Sequence, residues 1–178
     1  LHKRTNPWGR LYQANKCTDL TFNENMHIGE DALFLYSYIL KCQNIYHIND
    51  ADYIYMVDSA GSLTKRINSF QSELTSFVNI SKIIDEIILK YNISDSKALK
   101  SFNSALNGYR RRLLTALYHD SSISKRQRIN ELKALDFSTI DEVENKASLK
   151  DKLLSSLLKK RLFKVYDIIR STKALLNK

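Results

Sequence analysis

Proline, glycine and cysteine are scarce in this 178-residue chain, which has one proline, four glycines and two cysteines. Pro7 and three of the glycines fall within the first 61 residues, so only Gly108 interrupts the remainder. A long stretch with almost no breakers predicts helices. Two cysteines are too few for a disulfide scaffold, which excludes the small disulfide-stapled secreted domains and favours a reducing compartment.

Long apolar runs are also missing. No stretch approaches the ~18–20 consecutive apolar residues of a membrane-spanning helix. The first ten residues are polar, and no apolar segment typical of a signal peptide follows them. The four histidines are scattered without the spacing of metal ligands. We therefore expect a cytoplasmic protein with no metal site in this chain.

Charge is present but unevenly distributed. Residues 1–66 hold seven Lys/Arg and seven Asp/Glu, a balance of zero. Residues 67–178 hold 21 Lys/Arg and 12 Asp/Glu, so the net charge of +9 lies entirely in the second part. This asymmetry, together with the shift in glycine and proline content, predicts two domains with different partners, 1–66 and 67–178.

The first part predicts a mixture of short elements. Apolar residues at helical spacing predict a helix over Asp31–Cys42. Two short segments rich in aromatic and β-branched residues, Asn44–Ile48 and Tyr53–Val57, predict strands. Asp58–Thr64 is typical of a turn.

The second part predicts four or five helices from their capping residues. In the last helix an apolar stripe at spacings of three and four predicts the buried face. The predicted helices run from Asn68 with Gln71 to Tyr91, from Ser94 or Asp95 to His119, from Ser122 or Ser124 to Phe137, briefly from Ser138 with Asp141, and from Ser148 with Asp151 to the C-terminus; the stripe is Leu154, Leu158, Leu162, Val165 and Ile169.

The most informative triplet is Gly29-Glu30-Asp31. Alone it is a common helix start, because glycine frees the backbone and two acids suit the positive end of the helix dipole. Its surroundings add an ordered set of further motifs. These are Pro7-Trp8-Gly9-Arg10-Leu11-Tyr12 and Phe22-Asn23-Glu24 before it, and Phe34, Tyr53-Ile54-Tyr55 and Ser62-Leu63-Thr64 after it.

This set resembles the later, acceptor-side half of family 2 inverting glycosyltransferases with the GT-A fold, over about residues 6–66. The resemblance implies an α/β fragment that is mostly α: a partial GT-A domain with short helices and two short strands, followed by an all-α basic region. It also implies a bacterial enzyme that transfers a sugar from a nucleotide-sugar donor to a glycan or lipid-linked acceptor, with inversion, in cell-surface polysaccharide synthesis.

The resemblance also implies residue roles. Asp31 matches the family's catalytic base, and a carboxylate on a rigid first helical turn suits that task. Glu30 and Trp8 are candidate acceptor-binding residues, although Trp8 equally fits a core position. Lys65 and Arg66 are candidate contacts to the donor diphosphate, because the arginine or histidine that often follows the family's Tyr-x-Tyr segment is here Met56.

The donor half of such an enzyme is missing from this sequence. The family's Asp-x-Asp motif, which holds a Mg or Mn ion and the nucleotide phosphates, precedes the tryptophan segment. Asp50-Ala51-Asp52 has the same spelling but follows Asp31, so we interpret it as a turn. We expect the divalent metal and the nucleotide sugar to bind elsewhere in the complete enzyme, and this chain alone to be inactive.

The basic helices leave a second hypothesis open. Arg110-Arg111-Arg112, Lys125-Arg126-Gln127-Arg128 and the lysine-rich last helix favour either a solvated surface or peripheral contact with the inner face of the membrane. The alternative to an enzyme fragment is therefore a non-enzymatic basic module that binds membrane, a partner protein or nucleic acid. The positive charge would permit nucleic-acid binding, but no recognisable nucleic-acid-binding module accompanies the charge, so we expect no nucleic-acid partner.

Overall fold

The computed structural model describes residues 7–46, 68–138 and 149–176, and these are mostly helical. The mostly-α prediction is confirmed. The elements are a 3-10 helix at Ala14–Lys16 and six α-helices: α1 Glu30–Leu40, α2 Phe70–Lys90, α3 Ser96–His119, α4 Lys125–Ala134, α5 Leu149–Lys159 and α6 Phe163–Leu176.

The starts of α3 and α4 lie at capping residues predicted for them, whereas the predicted cap of the last helix, Ser148, lies outside the described residues. Asp95 caps α3 by accepting a hydrogen bond from the backbone N–H of Ala98, and Ser124 starts α4 with a full capping box. The predicted cap at Asn68 is wrong. Ser69 caps α2, while the amide of Asn68 donates to Glu73.

The described residues contain no strand. Asn44 to Tyr46, the described part of the first predicted strand, have no regular structure. An isolated strand leaves its backbone groups without partners, and these three residues have no neighbouring strand to pair with in the described part of the chain. The second predicted strand, the turn after it and the short helix predicted from Ser138 with Asp141 lie almost wholly outside the described residues.

The last helix is broken in two, contrary to the prediction of one continuous helix. Arg161 adopts a φ of 56°. The backbone N–H of Leu162 donates to the carbonyl of Leu157, and that of Arg161 donates to Leu158. These two bonds form the Schellman motif, which ends a helix at a left-handed residue. No glycine or proline marks this break in the sequence, so it was not predicted.

The break also corrects the predicted apolar stripe. Leu154 and Leu158 of α5 are buried, but Leu162 and Val165 are exposed, because the turn at Arg161 resets the phase of the helix that follows. In α6 the buried positions are instead Phe163, Tyr166 and Asp167, and Ile169 of the predicted stripe is partly buried against the apolar interior.

Two apolar clusters form the interior. Cluster A joins the first half of α2 and the second half of α3 to α4, α5 and α6. Cluster B joins α1 to the second half of α2 and the first half of α3. The buried members of cluster A include Phe70, Phe77, Leu113, Leu117, Leu132, Leu157, Leu158, Phe163 and Tyr166; those of cluster B are Met26, Ala32, Tyr36, Ile80, Ile83, Ile84, Ile87, Phe102 and Leu106.

Both ends of α1 are held by later helices. Beyond its C-terminal end, the hydroxyl of Tyr91 lies 2.5 Å from the carbonyl oxygen of Ile39 and 2.7 Å from that of Cys42, and the ammonium of Lys90 donates to Leu40. The Tyr91 hydroxyl has one hydrogen to donate to either of its two carbonyls, while Lys90 pairs the carbonyl of Leu40, the last residue of α1. The predicted domain boundary at 66/67 lies outside the described residues, but helices on its two sides share cluster B.

The break at Arg161 can be tested by comparing the stability of two variants. Arg161→Gly and Arg161→Ala both remove the arginine side chain, so their difference isolates the backbone. At a left-handed position glycine is favoured by ~1 kcal/mol. We expect the glycine variant to have the larger free energy of unfolding in urea. A continuous helix would give the opposite order by a similar amount.

Candidate active site

Gly29 begins α1 in a left-handed conformation. Its φ is 85°, and its carbonyl accepts the first helical hydrogen bond from Leu33 at 2.8 Å. A positive φ of this kind costs a residue with a Cβ ~1–2 kcal/mol. Glycine at this position therefore places Glu30 and Asp31 in the first turn of the helix.

Asp31 is partly buried at this helix start. Its Oδ1 accepts a hydrogen bond from the backbone N–H of Ala32 at 2.7 Å. Burial raises the pKa of the Asp31 carboxyl, the charge of Glu30 raises it further, and the hydrogen bond from Ala32 opposes both. A carboxylate with a raised pKa is a stronger base than an ordinary aspartate, which suits proton abstraction.

Glu30 contributes a second carboxylate beside Asp31. Its Oε2 atom is buried and has no hydrogen-bond partner among the described residues. Buried polar atoms are nearly always hydrogen-bonded in folded proteins. The unpaired oxygen of Glu30 is therefore a natural acceptor for a hydroxyl group of a ligand at this helix start.

Tyr109 of α3 completes the surroundings of Asp31, and sequence reasoning missed it. A Cβ built on Gly29 would lie 2.7 Å from the Tyr109 hydroxyl and 2.8 Å from its ring. Burial raises the pKa of Tyr109, and the charges of Asp31 and Glu30 raise it further. Tyr109 belongs to none of the sequence motifs. Its contact with Gly29 joins residues of the two predicted domains, and no pattern in the sequence indicates that these two residues lie together.

The arginines beside Tyr109 face inward. Arg112 binds Glu73 through two hydrogen bonds of 2.7 and 3.1 Å, and the Glu73 carboxylate is almost fully buried. Arg110 is also buried, with its guanidinium over the ring of Phe77. The interpretation of this run as a basic surface is therefore wrong for Arg110 and Arg112.

Three of the sequence motifs meet as an aromatic group around α1. The ring of Tyr12 packs edge-on against Tyr38 and Phe34, and Phe22 stacks on Phe34 at 4.6 Å. The Tyr38 hydroxyl accepts a hydrogen bond from the backbone N–H of Gln13. Pairs of this kind contribute ~0.5–1.5 kcal/mol beyond burial. The motifs that contain Tyr12, Phe22 and Phe34 are therefore in contact with one another in the folded chain.

The structure describes only one of the remaining candidates from the sequence, Trp8. Trp8 is 52% exposed, so the core alternative for it is wrong. Lys65, Arg66 and the Asp50-Ala51-Asp52 segment lie outside the described residues. In the part of the chain that the structure describes, no three His, Cys, Asp or Glu residues form a group able to hold a metal ion.

Both cysteines, Cys17 and Cys42, are free thiols. Within the described ranges, no helix is long and apolar enough to cross a membrane. Comparison with protein-family models, with curated proteins and with solved structures finds no match for this chain.

The contact between Gly29 and Tyr109 can be measured with a double-mutant cycle. Gly29→Ala should destabilise the fold by ~1–2 kcal/mol from the positive φ alone, and by more because the new methyl overlaps Tyr109. In a Tyr109→Leu background the overlap is relieved, so the cost of Gly29→Ala should fall. Equal costs in the two backgrounds would show that the contact does not constrain the helix start.

The raised pKa of Asp31 makes stability depend on pH. A carboxyl with a folded pKa above its unfolded value, 3.8, binds its proton more tightly in the folded state. The wild type therefore loses stability as pH rises from 3.8 through the folded pKa. Relative to the wild type, Asp31→Asn should gain stability over that window, measured by urea unfolding at several pH values. If the stability of Asp31→Asn relative to the wild type instead fell as pH rose, the pKa of Asp31 would be lowered by folding.

Proposed function

We propose that this chain carries the acceptor side of a glycosyltransferase that transfers a sugar from a nucleotide-sugar donor to a glycan or lipid-linked acceptor with inversion. The observation that carries the proposal is the position of Asp31, a partly buried aspartate on the first turn of α1. The ordered motifs packed around the same helix support it.

Asp31 acts as the general base. A sugar hydroxyl is a poor nucleophile until a carboxylate takes its proton. The hydroxyl oxygen then forms a bond to the anomeric carbon of the donor sugar, and the bond from that carbon to the nucleoside diphosphate breaks on the opposite face. Inversion follows from this single displacement. Because α1 is held at both ends, Asp31 is fixed in place before the acceptor arrives.

Glu30 and Trp8 hold the acceptor. The unpaired, buried oxygen of Glu30 accepts a hydrogen bond from a second hydroxyl of the acceptor sugar. The exposed ring of Trp8 offers an apolar face to the C–H groups of a sugar. The two side chains therefore bind and orient, while Asp31 alone takes the reacting proton.

The donor side belongs to the rest of the complete enzyme. A divalent Mg or Mn ion bound there would offset the charge of the leaving diphosphate. Lys65 and Arg66 are the cations of this chain proposed to assist at the diphosphate. The setting proposed is the assembly of cell-surface polysaccharide on the cytoplasmic side of the membrane.

The test separates binding from chemistry. In the protein containing the donor-binding part, Asp31→Asn should lower kcat for sugar transfer by about a hundredfold or more. Acceptor binding should change little. Trp8 is the only tryptophan of the chain, so its fluorescence reports that binding when the donor-binding part contributes no tryptophan nearby.

Asp85→Asn is the matched control, because Asp85 is an exposed aspartate on α2. It should leave both kcat and binding unchanged. Near-full transfer by Asp31→Asn would rule out Asp31 as the base, and an equal loss in Asp85→Asn would show that the effect is not specific to the site.

A further inference from the structure

The structure divides the cations of the basic helices into an interior set and a surface set. Arg128 belongs to the interior set with Arg110 and Arg112: its guanidinium donates to the buried carboxylate of Asp167 at 2.9 Å and lies over the ring of Tyr118. Tyr118 donates to the same carboxylate at 3.1 Å. These arginines join helices to one another and are not available to a partner.

The surface set includes exposed cations on α2, α3 and α4, such as Arg111, Lys125 and Arg126, and a further group on α5, α6 and the turn between them. Among the described side chains of this hairpin, five exposed cations stand against a single exposed acid, Asp151. Asp167 does not reduce the surface charge, because its carboxylate is buried and paired with Arg128. The exposed cations are Lys152, Lys159, Lys160, Arg161 and Lys164.

Large apolar side chains are exposed among these cations. Leu162, Val165 and Ile168 are 46%, 45% and 57% exposed. The turn at Arg161 causes this, because it rotates the start of α6 so that Phe163 and Tyr166 take the buried positions. We call Arg161, Leu162, Lys164, Val165 and Ile168 the α6 face.

We propose that the α6 face docks on an anionic lipid surface. Cations near such a surface are attracted to it, and aliphatic side chains interleaved with them enter the boundary between headgroups and acyl chains. A helix that carries both lies flat in the interface.

The exposed aliphatic residues favour lipid over nucleic acid as the partner. A phosphate backbone is recognised by cations and hydrogen-bond donors, and it offers no apolar medium to Leu162, Val165 and Ile168. Acyl chains do offer one, and each half-exposed side chain still has apolar area to bury.

This proposal does not depend on Asp31. Lipid docking involves α6, whereas sugar transfer involves the start of α1, so either can fail without the other. If both hold, docking brings the acceptor side of the enzyme to a surface where lipid-linked acceptors are found.

The test uses the full chain and vesicles of two compositions. One contains phosphatidylcholine and phosphatidylglycerol in equal parts, and the other phosphatidylcholine alone. Co-sedimentation should occur with the first at low salt, weaken at high salt, and be absent with the second. The test variant is Lys164→Gln with Ile168→Ser. Lys164 is a better cation to remove than Arg161, which interacts with the carboxylate of Asp136.

The matched control is Val78→Ser with Lys82→Gln. Val78 and Lys82 are also an exposed β-branched residue and an exposed lysine four positions apart, but on α2. We expect the α6 variant to lower affinity for the anionic vesicles by about tenfold, and the α2 variant to leave it unchanged. Circular dichroism must show equal helix content in both variants.

Three outcomes would overturn the proposal. The first is no binding of the wild type to anionic vesicles at low salt. The second is an equal loss of affinity in the two folded variants. The third is tight binding to a DNA duplex that displaces the vesicles and falls only in the α6 variant, which would make the face a nucleic-acid surface instead.

Discussion

The position of α1 depends on the contact between Gly29 and Tyr109. Tyr109 packs against both apolar clusters, so its ring lies where the two meet. Its hydroxyl and ring edge come so close to Gly29 that a Cβ there would overlap them. Glycine is therefore required twice, by its positive φ and by this contact. Tyr109, a residue of the basic helical region, thus helps to fix the start of the helix that carries Asp31.

The same packing explains the chemistry of the candidate site. The carboxyl of Asp31 is partly removed from water, which raises its pKa and its strength as a base. Burial of this kind opposes folding near neutral pH, and contacts elsewhere must offset it. The ion pair between Arg112 and the almost fully buried Glu73, and the hydrogen bond of the Tyr91 hydroxyl at the end of α1, are two such contacts. Sites that carry function are commonly destabilised in this way.

Features that depend on residues close together in the sequence could be predicted, whereas features that depend on contacts between residues distant in the sequence could not. The start of α1 at Gly29, the cap at Asp95 and the capping box at Ser124 all follow from residues within four positions. Tyr109 was missed because its partner lies in another predicted domain. The break at Arg161 was missed because an arginine adopts the left-handed conformation that usually identifies a glycine.

Net charge predicted a basic surface larger than the one that the fold presents, and the difference follows from the chemistry of arginine and lysine. The buried or partnered cations between helices include Arg110, Arg112 and Arg128, each with its guanidinium over a ring or paired with a carboxylate. The planar guanidinium is weakly hydrated and suits such positions, whereas the ammonium of lysine is compact and strongly hydrated. Lysine accordingly supplies four of the five exposed cations of α5, α6 and their turn. Arg111, Arg126 and Arg161 are nevertheless exposed, so the guanidinium permits an interior position between helices but does not require one.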